Sequence, residues 1–212
     1  MTAPHPTSRP APKIGLGAAL LLAVEAIVFG ISLLIPTATH LSYISSIFIP
    51  PSFIALMVAI HHTTPPHKQV WSHIGIAFAA IYAVMCASCY YLQLTVIRVN
   101  DLNLSPEILQ AFAFTPGSLV FAQDMLGYTF LCLATLVTAP VFSGSRLAHW
   151  IKWLFVAHGL MFIVPFIFPA LSFAQDASSG DEIGVLANLL WCAVFAPIAI
   201  LLAIYFKRMK TQ

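Results

Sequence analysis

Apolar residues run almost unbroken through six stretches of the chain, approximately 14–35, 43–62, 70–97, 118–142, 148–173 and 184–206. Each is long enough to cross a hydrocarbon core, which takes about 20 helical residues at roughly 1.5 Å rise apiece. The helix breakers fall between them: Pro36 to Ser42, His61 to Lys68 with Pro65-Pro66, Asn100 to Gly117, Ser143 to Ser145, and Gln175 to Glu182. The pattern predicts an all-α polytopic membrane protein, a bundle of six transmembrane helices over residues 13–207. The loops leave no room for a separate soluble domain. Residues 1–12, with Pro4, Pro6, Pro10 and Pro12 among small polar residues, are expected to be a disordered tail, and 208–212 a short second tail. The first stretch follows Arg9 and Lys13 as a signal peptide would. It exceeds the usual apolar length of about 7–15 residues and carries Glu25 near its middle, so a retained first helix is expected.

Composition agrees with the pattern. Hydrophobic residues make up 60% and charged residues 8% of the 212 positions, against roughly 25% charged in an average soluble domain. Mean hydropathy is +0.92. A soluble fold of this size would expose long apolar runs to water, and a disordered chain would lack them. A net charge of +2, without a basic stripe, excludes nucleic acid as a partner. Cys86, Cys89, Cys132 and Cys192 all lie inside apolar runs, so neither a disulfide framework nor a zinc ribbon is indicated; no metal or cofactor is expected.

The cations set the orientation. Arg9, Lys13, Lys68, Arg146, Lys152, Lys207, Arg208 and Lys210 fall on one side of a six-span topology and Arg98 alone on the other. Both termini are therefore expected in the cytoplasm, N-in and C-in, with the chain in the cell membrane, the inner membrane if the source is bacterial. Trp71, Trp150, Trp153 and Tyr205 sit at the cytoplasmic span ends, where interfacial anchors belong. Small residues at four-residue spacing, Gly75, Ala79, Ala83 and Ala87 in the third span and Gly15, Ala19 and Ala23 in the first, form ridges that let helices approach closely.

Against so few charges, two acids stand out inside the hydrocarbon. Glu25 lies about eleven residues, roughly 17 Å, into the first span, near the bilayer centre, where an acidic residue costs roughly 2.5–3.5 kcal/mol to insert. It is either a proton-exchanging carboxyl group or a neutral acid hydrogen-bonded to a neighbouring helix. Asp124 lies roughly 9 Å in from the outer end of the fourth span. A hydrogen bond from Tyr128 at i+4, or an ion pair with Arg98 that locks two spans together, would be its structural explanation; a second proton-handling group would be its functional one. His158, about ten residues into its span, is a candidate acid–base partner for Glu25, or else a helix–helix hydrogen bond.

Tyr82, Cys86, Cys89 and Gln93 follow a 4-3-4 spacing along one face of the third span, flanked by Tyr90 and Tyr91. Gln93, Asp124, Asn188 and Trp191 share a similar depth. If their faces converge they wall an outward-facing vestibule, with Glu25 and His158 as its floor and Gln123 and Tyr128 beside Asp124. Pro50-Pro51 predicts a kink or a non-helical start in the second span, and Pro165, Pro169 and Pro197 place a pocket between spans two, five and six, or simply shape the helices. Cys86-Ala87-Ser88-Cys89 has redox spacing but lies mid-span, away from the helix N-terminus that such pairs use. The histidines cluster at the cytoplasmic ends and give His158 no haem-ligating partner at equal depth.

The run Tyr90-Tyr91-Leu92-Gln93-Leu94-Thr95-Val96, followed by Phe121-Ala122-Gln123-Asp124-Met125-Leu126-Gly127-Tyr128 and Leu133-Ala134-Thr135-Leu136, resembles a group of small bacterial six-span membrane proteins. The likeness covers roughly residues 71–145. It implies the architecture and no catalytic residues, and it implies a glutamate where Asp124 stands. The functional expectation is thus an intrabundle pocket for a lipophilic, isoprenoid-like small molecule. Glu25, His158 and Asp124 would do acid–base chemistry there, and Tyr90, Tyr91, Gln93, Gln123, Tyr128, Asn188 and Trp191 would line it. A small proton-coupled transporter, as a homodimer, using Glu25 and Asp124 is the alternative; a structural subunit without turnover is the second. No internal repeat is visible between the two halves, which counts against the commonest transporter designs.

Overall fold

A computed structural model describes residues 10–99, 103–170 and 177–210. The tails expected over 1–9 and at the last two residues lie outside the described residues. The helices are α1 (Pro10–Leu33), α2 (Thr39–Thr63), α3 (Gln69–Leu92), α4 (Pro106–Phe112), α5 (Leu119–Thr138), α6 (Arg146–Leu160), α7 (Ile163–Ile167) and α8 (Ala177–Lys210). A π-helical turn, Gln93–Ile97, continues α3. No strand occurs among the described residues.

Six helical segments are long and apolar enough to cross a membrane: Pro10–Leu33, His40–Thr63, Pro66–Ile97, Leu119–Val141, Arg146–Ala170 and Gly184–Met209. The chain is a multi-pass membrane protein. Each span packs on the next, and α8 returns to α1, closing a ring in the order α1, α2, α3, α5, α6, α8. With six crossings both termini lie at one end. The ring interior is filled by Leu22, Phe53, Met57, Tyr82, Leu131 and Phe195, all essentially inaccessible. Its outer face carries Val84, Phe166 and Leu186, exposed as side chains facing lipid should be.

Small residues set the closest seams. Gly15, Ala19 and Ala23 of α1 and Gly75, Ala79 and Ala83 of α3 are buried, as their spacing predicts. At Gly127 a Cβ would sit 2.5 Å from Cys86 Sγ, so only glycine allows α5 to lie this close to α3. At the termini end, Lys68 Nζ donates to Pro140 O at 3.0 Å and Ser143 Oγ at 2.8 Å, tying two connections together. Trp71, Trp150 and Trp153 are exposed there, whereas Tyr205 packs against Phe142 and Phe206 and is not a free anchor.

The prolines divide in their effect: Pro50-Pro51 does not give the second span a non-helical start, whereas Pro165 interrupts the fifth. Pro50 and Pro51 lie within a continuous α2, leaving the Ser46 and Ile47 carbonyls without their usual donors but not breaking the helix. The break comes in the fifth span instead. Pro165 has no N–H and its ring crowds the Met161 carbonyl, so the chain tightens to three-residue bonds, Met161 N–H to His158 O and Phe162 N–H to Gly159 O, before α7 begins. α1 also begins earlier than expected, at Pro10, because a proline in a first turn lacks only an N–H that has no helical partner. The helix at the other end extends through Lys210, over part of the expected tail. The expected loop Asn100–Gly117 contains α4, started by Ser105-Pro106.

Candidate functional site

Asp124 lies in the second turn of α5, a helix begun by Ser118, whose hydroxyl accepts the Phe121 N–H at 3.0 Å. Across the α3–α5 seam, Cys86 Sγ donates to Asp124 O at 3.7 Å and Cys89 Sγ to Val120 O at 3.5 Å, which fixes the register of the two helices. The Asp124 side chain is 1% exposed. Tyr90 Oη donates to Oδ2 at 3.3 Å, and Tyr128 Oη lies 3.2 Å from Tyr90 Oη. Tyr128 therefore reaches Asp124 through Tyr90, not directly as its i+4 spacing suggested. Asp124 Oδ1 is buried and has no hydrogen-bond partner. The expected pairing with Arg98 is not formed.

Beside this carboxyl group is a cavity of ≈ 240 Å³ at the end away from the termini, with Ile35, Ser42 and Phe114 among its lining residues. Its walls are largely aromatic. Tyr43 lies 6.3 Å from Tyr90 and 6.0 Å from Phe114, and Phe114 lies 6.1 Å from Tyr90 and 5.9 Å from Phe121, centroid to centroid. Phe29 completes the box, and among the described residues Asp124 is its one formally charged lining residue. A second cavity of ≈ 120 Å³ adjoins it, sharing Phe121, Met125 and Asn188 as a partition. Here the lining is apolar, with Cys132, Met161, Val164, Pro165 and Trp191, and the cavity lies where α5, α7 and α8 meet.

His158 is fully buried and fully satisfied. Trp191 Nε1, which can only donate, gives its hydrogen to His158 Nε2 at 3.0 Å. The ring proton is thereby placed on Nδ1, which donates to Thr135 Oγ1 at 2.8 Å, and the Thr135 hydroxyl in turn donates to Cys132 O at 2.8 Å. With both ring nitrogens occupied, the Glu25–His158 acid–base couple is not formed. His158 acts as a clasp joining α5, α6 and α8, and it orients Trp191, which stacks on Phe195 at 4.7 Å.

Glu25 is buried on α1 and accepts from Ser52 Oγ at 3.0 Å through Oε1; Oε2 is buried without a partner. It lies one helical turn deeper than Phe29 and does not line the cavity. Tyr82 is buried and packs on Phe53 at 6.0 Å and on Tyr128 at 5.9 Å, centroid to centroid.

Of the other expected lining residues, Asn188 lines both cavities and Trp191 and Tyr128 the apolar one. The rest point elsewhere. Tyr91 is 62% exposed on the outer face. Gln123 is exposed and donates to Met85 O at 3.1 Å and Ser88 Oγ at 2.8 Å, stitching α5 to α3 from outside. Gln93 donates to Phe112 O at 2.7 Å, holding α4 over the end of the bundle away from the termini. The redox spacing of Cys86 and Cys89 is explained by their bonds to α5; both are free, buried thiols. Tyr43 and Phe114 were not expected at the site. Tyr43 sits among ordinary apolar residues, and Phe114 belongs to a stretch whose only sequence signal is Ser-Pro-Glu ahead of α4.

Fold and site together define an all-α polytopic membrane protein with an aromatic, carboxyl-bearing cavity inside its bundle. Among the described residues no three His, Cys, Asp or Glu side chains gather as metal ligands. The chain matches no protein-family model, no curated protein and no solved structure.

Proposed function

We propose that this membrane protein captures a small lipophilic molecule in the cavity beside Asp124 and that Asp124 is the group that exchanges a proton with it. One observation carries the proposal: a residue that borders a cavity and whose carboxyl group has one wholly buried, unpartnered oxygen. A polar atom left so costs about 1–3 kcal/mol, more if charged, and a ligand donor offsets that cost. The Tyr90–Tyr128 hydroxyl pair supplies a second proton-bearing station next to it. With N-in and C-in orientation, the cavity faces away from the cytoplasm of a cell, bacterial if the sequence resemblance holds.

Native mass spectrometry of the protein released from several mild detergents tests the proposal. A small co-purifying lipophile is expected on the wild type and is expected to be lost from Asp124→Leu, with circular dichroism used to check that the variant is folded. Bare protein throughout would refute it.

A proton-coupled transporter, as a homodimer or alone, is the second reading. Its specific support is the pair of buried carboxyl groups, each with one unpartnered oxygen. In proteoliposomes, Glu25→Gln would then abolish uptake driven by a pH gradient while leaving ligand binding at Asp124 intact; an acid–base enzyme centred on Asp124 would keep turnover in the same variant.

A further inference from the structure

The two adjoining cavities differ in character, and that difference identifies a ligand. Among the described residues the larger combines one carboxyl group with five aromatic rings, Phe29, Tyr43, Tyr90, Phe114 and Phe121, and neither Lys, Arg nor His lines it. Ring faces attract cations and the carboxylate adds its charge, in a site where few solvent dipoles compete. An anion would meet Asp124 with no cationic side chain to offset it, only hydroxyl groups and the Asn188 amide. A neutral molecule would gain from the rings but would leave the carboxylate unneutralised. At ≈ 240 Å³ the space exceeds a cavity of about 150 Å³ that holds benzene, so a substituted ammonium head fits.

The smaller cavity is apolar and adjoins the first across the partition of Phe121, Met125 and Asn188. It also reaches the outside. Val164, one of its lining residues, is 52% exposed on α7, and the α6–α8 seam is the most sparsely packed in the ring. Pro165, which breaks the fifth span at Met161-Phe162, is itself among the lining residues of this cavity. An apolar chain lying there would have one end against Trp191 and the other at the lipid boundary.

We infer that the site takes an amphiphilic organic ammonium ion, its cationic head in the aromatic box against Asp124 and its apolar tail in the cleft between α7 and α8, entered from the bilayer. The inference rests on the proposed binding role of the cavity and adds the ligand's charge and direction of entry. Quaternary and protonated amines share this chemistry, whether free or carried by a choline-type lipid.

Trp191 offers a direct readout, because the other three tryptophans are exposed at the opposite end and are replaceable by Phe. The single-Trp191 protein is placed in nanodiscs of an uncharged glycolipid. It is titrated with ω-bromohexyltrimethylammonium and, separately, with ω-bromohexanol, whose bromine quenches a tryptophan it touches. Saturable quenching by the ammonium compound is expected, at least tenfold tighter than by the alcohol, weakened tenfold or more by Asp124→Asn and several-fold by Tyr43→Leu or Phe114→Leu. Tyr91→Phe, on the outer face, is expected to match the parent. Equal quenching by both probes, insensitive to Asp124→Asn, Tyr43→Leu and Phe114→Leu, would overturn the cationic ligand while leaving the cavity a lipophile site. Absence of saturable quenching by either probe would overturn both. Should Asp124→Asn not fold, the two wall variants decide alone. Repeating the titration in phosphatidylcholine discs separates the sources: competition assigns the head to a choline lipid, and its absence to a free amphiphile.

Discussion

The His158 clasp makes the sharpest energetic prediction. Trp191→Phe keeps an aromatic ring but removes the N–H, leaving His158 Nε2 as a buried acceptor with no donor. His158→Leu removes the acceptor and leaves the Trp191 N–H unpaired. Each single change combines lost packing with a buried group left unsatisfied, about 1–3 kcal/mol. In the double variant neither group remains to be unsatisfied, so its cost falls short of the sum of the singles. Interhelical hydrogen bonds in membrane proteins couple by about 0.6 kcal/mol on average and about 1.7 kcal/mol at most, and a donor-only indole on a ring whose other nitrogen is also bonded belongs in the upper half of that range. Equilibrium unfolding of the four proteins in bicelles, by steric trapping, measures the coupling directly. Additivity within about 0.3–0.5 kcal/mol would refute the clasp and return His158 to the list of groups free to handle protons. Thr135→Val serves as an independent check at the other nitrogen: it removes the acceptor of Nδ1–H and should destabilise without altering the ammonium-to-alcohol preference at Asp124.

Three further outcomes follow from the packing. Gly127→Ala places a Cβ 2.5 Å from Cys86 Sγ and should cost about 1–3 kcal/mol in the same assay, whereas Gly17→Ala, with nothing within 4 Å, should stabilise by up to about 1 kcal/mol. Pro165→Ala should restore a continuous fifth span, narrow the cleft between α7 and α8, and slow bromoalkyl quenching of Trp191 without changing its final extent. Glu107→Cys should react with a membrane-impermeant maleimide added outside intact cells, since Glu107 is exposed on α4 and all four native cysteines are buried; labelling only after lysis would reverse the N-in, C-in orientation.

How far the sequence speaks depends on whether a property is carried along one helix or between helices. Span number and position are set by the length of apolar runs, a one-dimensional quantity, so hydropathy locates all six. The buried face of α3 is likewise a matter of 3.6-residue geometry, and Tyr82, Cys86 and Cys89 fall on it as their spacing requires. Rotation of one helix against another is not written in either alone. Gln123 and Asp124 are adjacent in sequence and similar in depth, yet one faces outward and the other inward. Tyr90 and Tyr91 divide in the same way. Even proline has no fixed effect: Pro50-Pro51 is absorbed by α2, which neighbours support on both sides, while Pro165 breaks a span whose outer half has no buried residue to hold it straight.

The same distinction explains why Asp124, rather than Glu25, became the centre of the site. By depth alone Glu25 is the costlier acid and the stronger functional candidate, since burial cost rises toward the bilayer centre. What decides the matter is the surrounding space. Both carboxyl groups have one hydroxyl donor and one unpartnered oxygen, but Glu25 is enclosed between α1 and α2 whereas Asp124 borders a cavity. A ligand can relieve the second and not the first, so equal electrostatic need yields a binding group in one place and a gap for a proton alone in the other. If the two act together, Glu25 is the station that a proton reaches and the ligand does not. Glu25→Gln should accordingly leave the affinity of the ammonium probe unchanged at fixed pH while altering any proton movement coupled to its binding, measured as proton release into weakly buffered solution. A loss of probe affinity in that variant would show the two carboxyl groups to form one site and would refute the division drawn from the cavity.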